Sequence, residues 1–307
     1  MGIVVIGATF VDIKGFPNDT YIPDGRNAGR IEYIHGGVAR NVVEDIANME
    51  LRPTYIGIVD DTPMGADVVH KLNNHKVNTE YVQVRPDGMG TWLAVFDSDG
   101  NVAGSISKRP NLLPILDILE EQGDEIFSQA DSVVLEVDID KATVKNVFDL
   151  AEKHGVKTYA VVSNMSIAIE RRDFFQKFDC FICNEQEAGM LCLEDFSEKT
   201  PEELCDILAE KVQRAKIPSM VVTMGGKGAV YADLQGGKGF CPAKKVQVKD
   251  TTGAGDAFCA GVSAGLTYGK TLPEAVEIGT TLAASVIMSS DNVCPRFQPE
   301  ELGLEMK

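Results

Sequence analysis

Residues 249–261, Lys-Asp-Thr-Thr-Gly-Ala-Gly-Asp-Ala-Phe-Cys-Ala-Gly, contain the side chains and spacing best suited to chemistry on an anion. The glycines allow a sharp turn, and apolar residues then follow at helical spacing, at Phe258, Val262 and Leu266. A turn that opens into a helix points free N–H groups at one place, where the helix dipole also favours negative charge. This pattern predicts a phosphate-binding site.

Asp256 stands beside this predicted anion site. A carboxylate there would repel a bound phosphate, but it could take the proton from a hydroxyl group that attacks the phosphate. The alternative is that Asp256 only caps the start of the helix, as short acidic and polar residues commonly do. Only other residues of the chain can distinguish a general base from a cap.

The composition excludes several classes of protein. The chain has 307 residues, of which 44% are hydrophobic and 24% charged, so it can bury a full core. A net charge of −17 argues against a nucleic acid or a membrane surface as partner. No apolar run reaches the length of a membrane span, and no basic leader precedes the first apolar run. We therefore expect a cytoplasmic protein.

The cysteines support the same location. Their number, seven, is odd and they are scattered, which is typical of a reduced protein rather than of a disulfide framework. Cys180 and Cys183 have Cys-x-x-Cys spacing, but they lie in an apolar run without a second ligand pair. A structural role is favoured over metal binding.

Apolar, strand-like runs alternate with helical segments along the chain. Strands are predicted at residues 3–6, 54–59, 81–84, 132–137, 157–162, 180–183 and 219–223, with the end of another at 246–248. Helices are predicted at 141–154 and 201–215, and two more within 271–289. This alternation is typical of an α/β fold with a doubly wound, mainly parallel sheet flanked by helices. Residues 1–307 are expected to form one domain, with extra β structure at 13–35 and 89–107.

Small and polar residues recur where the predicted strands end, which is where open α/β sheets bind ligands. They are Asp12 after the first strand, then Gly36, Gly37 and Asn41, then Asn184 and Glu187, and finally Thr223, Gly225, Gly226 and Gly228. The pair at 36 and 37 would either let backbone approach a ligand or form a tight turn. A P-loop is missing from the sequence, and so is a Gly-x-Gly-x-x-Gly motif after the first strand, which argues against a dinucleotide enzyme.

Together these motifs resemble, in content and order, the ribokinase-like (PfkB-type) sugar and nucleoside kinases. The match runs from residue 3 to about residue 290, and the family's Asp-Thr-x-Gly-Ala-Gly-Asp signature is complete at 250–256. Residues 29–41, Gly-Arg-Ile-Glu-Tyr-Ile-His-Gly-Gly-Val-Ala-Arg-Asn, are similar to the pseudouridine kinases of this family. Ribokinases have Gly-Gly-Lys-Gly-Ala-Asn at the end of this segment instead.

The resemblance implies a role for each motif. The catalytic group would be Asp256 as the base and the amides of Gly253, Ala254 and Gly255 as the anion hole. The substrate would be held by Asp12, Gly36, Gly37 and Asn41, and ATP by Asn184, Thr223, Gly225, Gly226 and Gly228. Glu187 would organise Mg²⁺ through water, and Asp250 and Thr252 would form a monovalent-cation site, for K⁺.

The resemblance thus implies an ATP-dependent kinase for a hydroxyl of a ribosyl compound, with the 5′-hydroxyl of pseudouridine as the first candidate. A free sugar such as ribose or fructose, or another nucleoside, is the alternative substrate. A non-catalytic ligand-binding protein of the same fold is a more remote alternative. The β structure at 13–35 and 89–107 would be a lid that excludes water and joins two copies as a homodimer.

The chain departs from the pseudouridine kinases after the lid hairpin. Those enzymes often have Asn-Asp-Met there and Asp-Pro-x-Ser before the Asn-x-x-Glu, whereas this chain has Ser-Ile-Ser-Lys-Arg-Pro at 105–110 and Val-Val-Ser-Asn-Met-Ser at 161–166. The departure affects the part of the site that would hold the substrate's base. Lys108 and Arg109 either serve a negatively charged substrate or form a solvated pair at a strand end.

Overall fold

The computed structural model describes residues 2–305, with the side chains of 167, 171 and 172 excepted. Its strands are β1 (Ile3–Ile6), β2 (Phe10–Pro17), β3 (Gly29–Gly36), β4 (Thr54–Val59), β5 (Val82–Val84), β6 (Gly90–Phe96), β7 (Val102–Lys108), β8 (Ser132–Glu136), β9 (Lys157–Val161), β10 (Cys180–Asn184), β11 (Ser219–Thr223), β12 (Gly228–Asp233) and β13 (Lys238–Pro242). Its α-helices are α1 (Val38–Asn48), α2 (Pro63–Asn74), α3 (Pro114–Ser128), α4 (Lys141–His154), α5 (Met165–Ala168), α6 (Glu185–Cys192), α7 (Pro201–Ala215), α8 (Ala254–Thr267) and α9 (Leu272–Ile287).

The main sheet has nine strands in the order β13-β12-β11-β10-β9-β8-β1-β4-β5. From β11 to β5 all neighbours are parallel, and the β12–β13 hairpin is antiparallel at one edge. Helices lie in the connections between the parallel strands, as crossovers from one end of the sheet to the other require. The predicted doubly wound, mainly parallel sheet is confirmed.

A second, smaller sheet has four strands in the order β3-β2-β6-β7. It combines two antiparallel hairpins through a parallel pairing of β2 with β6. Its strands fall largely within the two regions predicted as extra β structure, but β2 begins earlier, at Phe10. Asp12 therefore lies inside a strand of the second sheet, and not in a loop after β1.

The buried strands explain why their sequences are uninterrupted apolar runs. In β1 the side chains of Ile3 and Val5 join one hydrophobic layer, while those of Val4 and Ile6 join the other. A parallel strand covered by helices on both faces needs apolar residues at every position. The layer containing Ile3 and Val5 also includes α1, α8 and α9, which position the site described below.

Two expectations about local structure are wrong. Residues 246–248 form no strand, because residues 243–248 leave the β12–β13 hairpin without a neighbouring strand to pair with, and Val248 is exposed. The segment 271–289 contains one helix, α9, instead of two. Gly279, in its middle, does not break the helix but allows α8 to approach it closely.

This close approach involves a glycine on each helix. A Cβ atom added to Gly261 of α8 would lie 2.7 Å from the Cα atom of Gly279, and one added to Gly279 would lie 2.7 Å from the carbonyl oxygen of Phe258. Real side chains do not approach backbone so closely, so both positions require glycine. The contact fixes α8 against α9.

We predict that Gly261→Val lowers the free energy of unfolding by about 1–3 kcal/mol or more, because the new side chain would force the two helices apart. The matched control is Gly104→Ala on β7, where an added Cβ atom meets nothing within 4 Å. Urea denaturation of both variants measures the difference. Equal stabilities would contradict the close contact.

Candidate active site

Most of the predicted site residues lie near the carboxyl ends of the parallel strands. The smaller sheet, β3-β2-β6-β7, covers this end of the main sheet. Asn184 ends β10 and Thr223 ends β11, while Gly255 and Asp256 begin α8. These four residues line one cavity of about 190 Å³ together with Glu187. Two larger cavities, described below, adjoin the same strand ends.

The start of α8 forms an anion cradle from its backbone. Gly253 is the N-cap residue with a φ of 80°, and a Cβ atom there would lie 2.0 Å from the carbonyl oxygen of Asn292, so only glycine fits. The amide of Ala254 donates to the carbonyl of Thr251 at 3.2 Å. The amides of Gly255 and Asp256 are in the first helical turn, which has no intrahelical acceptors for them. Space above Gly255 is open, since an added Cβ atom would meet nothing within 4 Å.

Asp256 does not cap its own helix, because the N-cap position is occupied by Gly253. Its carboxylate instead accepts a hydrogen bond from another element: Nδ2 of Asn41, on α1, donates to its Oδ2 at 2.6 Å. The residue keeps a partly accessible surface toward the cavity, although its carboxyl group lies among protein atoms. The structure therefore brings together the two residues that the sequence predicted as base and substrate ligand.

Desolvation raises the pKa of Asp256 from its ordinary value of 3.8 to about 7. The hydrogen bond from Asn41 and the positive charge of Arg40 act in the opposite direction, and the carboxylates of Asp12 and Glu187 raise the pKa further. A carboxylate with a pKa near 7 is a stronger base than a solvated one, yet it is still substantially ionised at neutral pH. This is the range expected for a general base.

Asp12, on β2, packs against the glycine pair at the start of α1. A Cβ atom on Gly36 would lie 2.9 Å from both carboxylate oxygens of Asp12, and one on Gly37, whose φ is 97°, would lie 2.6 Å from the carbonyl oxygen of Ala8. The glycines thus let the chain pack closely against Asp12 and the backbone of Ala8, and the approach of a ligand to them stays a prediction. Burial raises the pKa of Asp12, while Lys14 and Arg40 oppose this rise.

Asn184 and Glu187 form a capping box at the start of α6. The Glu187 amide donates to Oδ1 of Asn184 and the Asn184 amide donates to Oε2 of Glu187, both at 2.8 Å. Desolvation raises the pKa of Glu187, which faces the same cavity as Asp256. Within residues 2–305, no three His, Cys, Asp or Glu side chains form a metal cage. A nucleotide-bound Mg²⁺ needs only one or two carboxylates and retains water, so the single carboxylate of Glu187 fits it.

A cavity of about 550 Å³ adjoins the cradle on the side of the β12–β13 hairpin. All four residues predicted after β11 line it, namely Thr223, Gly225, Gly226 and Gly228. Its other walls are mostly apolar and come from α8, α9 and residues 243–248, with Phe258, Ala283 and Ile287 among them. A volume of this size with an apolar end and glycines near the cradle suits a nucleotide.

Asp250 and Thr252 lie in the loop before the cradle, and both are exposed. The amide and the hydroxyl of Thr252 donate to Oδ1 of Asp250, at 2.9 and 2.8 Å. This turn shapes the loop that leads to Gly253. The monovalent-cation site predicted for these residues stays a prediction.

Sequence reasoning missed several residues of a third cavity, of about 520 Å³, which lies between the ends of β8 and β9 and the second sheet. We call it the acceptor-side cavity. Its polar residues include Glu136, the last residue of β8, with Asp138 and Asn164, which follow the ends of β8 and β9. Its walls include Phe10 and Trp92. The position of acidic residues at a strand end was an available signal, but Glu136 was assigned to the strand alone. Burial, and next the charge of Asp138, raise the pKa of Glu136 to about 8.

Lys108 and Arg109 lie in two different environments. Lys108 is exposed and forms an ion pair with Asp87 at 2.6 Å, whereas Arg109 lines the acceptor-side cavity. Burial raises the pKa of Asp138, and the charge of Arg109 opposes this rise. Lys14 is a further residue that the sequence did not indicate. It is buried on the same face of β2 as Asp12, two positions later.

A nucleotide-sized cavity, an anion cradle and a carboxylate between that cavity and a second one are the features of a phosphotransferase with a hydroxyl acceptor. Comparison with known families agrees: the model of the pfkB family of carbohydrate kinases matches residues 2–293. The chain therefore belongs to the pfkB family. No helix within residues 2–305 is both long and apolar enough to cross a membrane.

Individual relatives are nucleoside and sugar kinases. The chain is 34% identical over 292 residues to a guanosine-inosine kinase of Exiguobacterium acetylicum, covering 94% of this chain and 95% of that one. It is 24% identical over 275 residues to the pseudouridine kinase of Escherichia coli, covering 89% and 86%. The fold is similar to that of Arabidopsis thaliana ribokinase complexed with ribose and ATP, with a TM-score of 0.82, 20% identity and 99% coverage of both chains.

We predict that Asp256→Asn lowers turnover by about 10²–10⁴-fold, because the amide cannot accept the proton of the attacking hydroxyl. The fold should persist, since the amide oxygen can still accept from Asn41. In the unchanged enzyme, kcat/KM should rise with pH through about 7 as Asp256 ionises. Steady-state kinetics over pH 5.5–9 measures both effects, and near-normal turnover of the variant would contradict the assignment.

We also predict that Asp256 makes folding less favourable as pH rises. Its folded-state pKa of about 7 exceeds the ordinary 3.8, so the folded protein binds the proton more tightly and this stabilisation is lost as pH rises between those values. Asp256→Asn has no ionisation to lose. Its unfolding free energy should therefore exceed that of the unchanged protein by more at pH 8 than at pH 5.5, as urea denaturation would show; an equal difference at both pH values would refute this.

Proposed function

We propose that this protein transfers the γ-phosphate of ATP to the 5′-hydroxyl of a ribonucleoside, with Asp256 as general base. The observation that supports it most directly is the position of Asp256. It lies at the anion cradle of α8 and accepts a hydrogen bond from Asn41, which is predicted to bind the substrate. The base, the phosphate site and the acceptor site therefore meet at one point.

The reaction follows from these positions. Asp256 accepts the proton of the 5′-hydroxyl as the hydroxyl oxygen attacks the γ-phosphorus, and the bond from that phosphorus to the β-phosphate oxygen breaks, releasing ADP. The amides of Gly253 and Gly255 stabilise negative charge on the transferred group, which is the main requirement of phosphoryl transfer. The amide of Ala254, predicted as the third donor, donates to the carbonyl of Thr251 in this structure. Asp12, Gly36, Gly37 and Asn41 hold the ribose hydroxyls.

The remaining predicted ligands serve the nucleotide. Thr223, Gly225, Gly226 and Gly228 contact ATP from the 550 Å³ cavity, with Asn184 beside its phosphates. Glu187 would hold Mg²⁺ through water, and Mg²⁺ supplies neutralising charge to the phosphates. Asp250 and Thr252 would hold K⁺ next to the cradle loop. All seven cysteines are free, which suits a reducing, cytoplasmic location.

The acceptor-side cavity favours a nucleoside over a free sugar. It reaches from Phe10 and Trp92 to Asp138 and Arg109 and encloses about 520 Å³, more than a pentose fills. Aromatic walls suit a base. A carboxylate and a guanidinium match a base edge that presents an N–H beside a C=O. Guanine, hypoxanthine and the uracil of pseudouridine have that edge.

Two nucleoside classes remain as candidates. The 34% identity to a guanosine-inosine kinase over nearly the whole chain favours the 6-oxopurine nucleosides. The Gly-Gly-Val-x-Arg-Asn segment at 36–41 supports pseudouridine as the second candidate. Both have the 5′-hydroxyl and an edge with an N–H beside a C=O.

ADP release with guanosine, inosine, pseudouridine, uridine, ribose and fructose tests this proposal. We expect guanosine and inosine, or pseudouridine, to have kcat/KM values at least about 10²-fold above those of the free sugars, because ribose leaves the polar end of the cavity unfilled. A preference for ribose or fructose would contradict the nucleoside assignment. Thermal stabilisation by ligands without turnover of any of them would instead support the non-catalytic alternative.

We further propose that the second sheet is a lid on a single kinase domain and that its outer face joins two copies. Apolar side chains cover this face, with strand register placing Tyr33 and Leu93 on either side of Ile13 and Ile106 beside Leu93. Tyr33 and Ile106 are 60% and 70% exposed. A self-complementary apolar face of this kind suits a symmetric dimer.

We predict that the protein is a dimer in solution and that Ile106→Lys makes it monomeric, because a charge would be buried at the interface. Val84→Lys is the matched control: Val84 is 51% exposed, but lies on the edge strand β5 of the main sheet. Sedimentation velocity gives the masses. A monomeric unchanged protein, or a dimer that Ile106→Lys leaves intact, would contradict the lid interface.

A further inference from the structure

Arg40 is a fully buried arginine directly before Asn41 in helix α1. Its Nη1 donates to Oε2 of Glu44, one helical turn later, and Glu44 is also buried. The other oxygen of Glu44 lies 2.9 Å from Nζ of Lys71, on α2. A buried guanidinium is tolerated only with such partners, and they hold it in one position.

The second terminal nitrogen of Arg40 turns toward the active site. Nη2 donates to the carbonyl oxygen of His35 at 2.6 Å and to Oδ1 of Asn41. The side chain of Asn292, which follows α9, donates to the same two acceptors at 2.7 and 3.2 Å. The oxygen of the Asn41 amide therefore faces two donors.

These donors leave one orientation for the Asn41 amide. With Oδ1 toward Arg40 and Asn292, Nδ2 faces Asp256 and donates to it at 2.6 Å. The reversed amide would place its NH₂ group against two donors and its oxygen against a carboxylate, which only accepts. The guanidinium thus acts on Asp256 through Asn41.

We propose that Arg40 is a positioning residue for the kinase reaction: it fixes the Asn41 amide so that Asn41 holds the Asp256 carboxylate ready for the acceptor hydroxyl. This inference rests on the proposed role of Asp256 as the base. The positive charge of Arg40 also favours the ionised form of that carboxylate.

The other groups around Asp256 are mostly acidic, which makes the contribution of Arg40 important. The charged and titratable groups near it are Asp12 from β2, Arg40 and Asp45 from α1, Glu136 from β8, Glu187 from α6 and Cys259 from α8, while Lys14 of β2 acts on Asp12. Asp12 and Glu187 raise the pKa of Asp256, whereas Arg40 and the Asn41 hydrogen bond lower it. Loss of Arg40 should therefore shift the ionisation of Asp256 to higher pH.

The pH dependence of kcat/KM for the best nucleoside tests this inference. In Arg40→Met we expect the rising limb to move up by about one pH unit, so that activity at pH 7 falls several-fold, up to about tenfold, and recovers toward pH 9. In Glu44→Gln we expect the limb to move down, because the charge of Arg40 loses its counterion. Lys76→Met is the control for charge: its exposed ion pair is with Glu50, and the limb should not move.

Opposite shifts in the two variants cannot arise from loosened packing alone. If Arg40→Met folds poorly, the double variant Arg40→Met/Glu44→Gln, compared with Glu44→Gln, gives the same upward shift without a buried unpaired charge. A limb that stays in place when Arg40 is removed from folded enzyme would overturn the inference. Failure of the base assignment is recognised separately, because Asp256→Asn would then retain turnover.

Discussion

The hydrogen bond between Asn41 and Asp256 joins helix α1 to helix α8 across the floor of the cleft. Each helix contributes a different part of the site: α1 begins at the glycines that approach Asp12, and α8 begins at the anion cradle. Because Gly261 and Gly279 fix α8 against α9, the cradle cannot shift independently of the core. The bond therefore sets the distance between the phosphate site and the acceptor site.

This arrangement places several carboxyl groups where ionisation is unfavourable. Burial raises the pKa values of Asp12, Glu136, Glu187 and Asp256, all near one cleft. Such clustering lowers stability at neutral pH, yet it gives Asp256 a pKa that suits its proposed role as a base. The charge of the buried Arg40 reduces the free-energy cost of ionising Asp256.

Much of the fold and part of the site could be predicted from sequence, because they depend on local patterns. Uninterrupted apolar runs predicted the parallel strands, and the motif at 250–256 predicted a turn before a helix. Short runs without a pairing partner are ambiguous, which is why residues 246–248 were assigned to a strand. Gly279 lies within α9 where α8 packs closely against it. The neighbours of Gly279 in sequence give no sign of this contact.

The residues that sequence reasoning missed acquire their roles from distant parts of the chain. Asp138 lines the same cavity as Arg109 only because the second sheet folds over the end of β8, and nothing in their spacing indicates this. Arg40 belongs to a motif that is visible in the sequence. Its proposed effect on Asp256 depends also on Asn292, 251 positions after Asn41.

The Asn292 contact has a consequence for the order in which a ribosome builds the enzyme. A nascent chain that has emerged only as far as α9 already contains the base, the glycines and the cradle helix. It still lacks the side chain that shares the Asn41 oxygen with Arg40 and the backbone that covers Gly253. We therefore expect the proposed catalytic centre to form only after the residues that follow α9 have emerged.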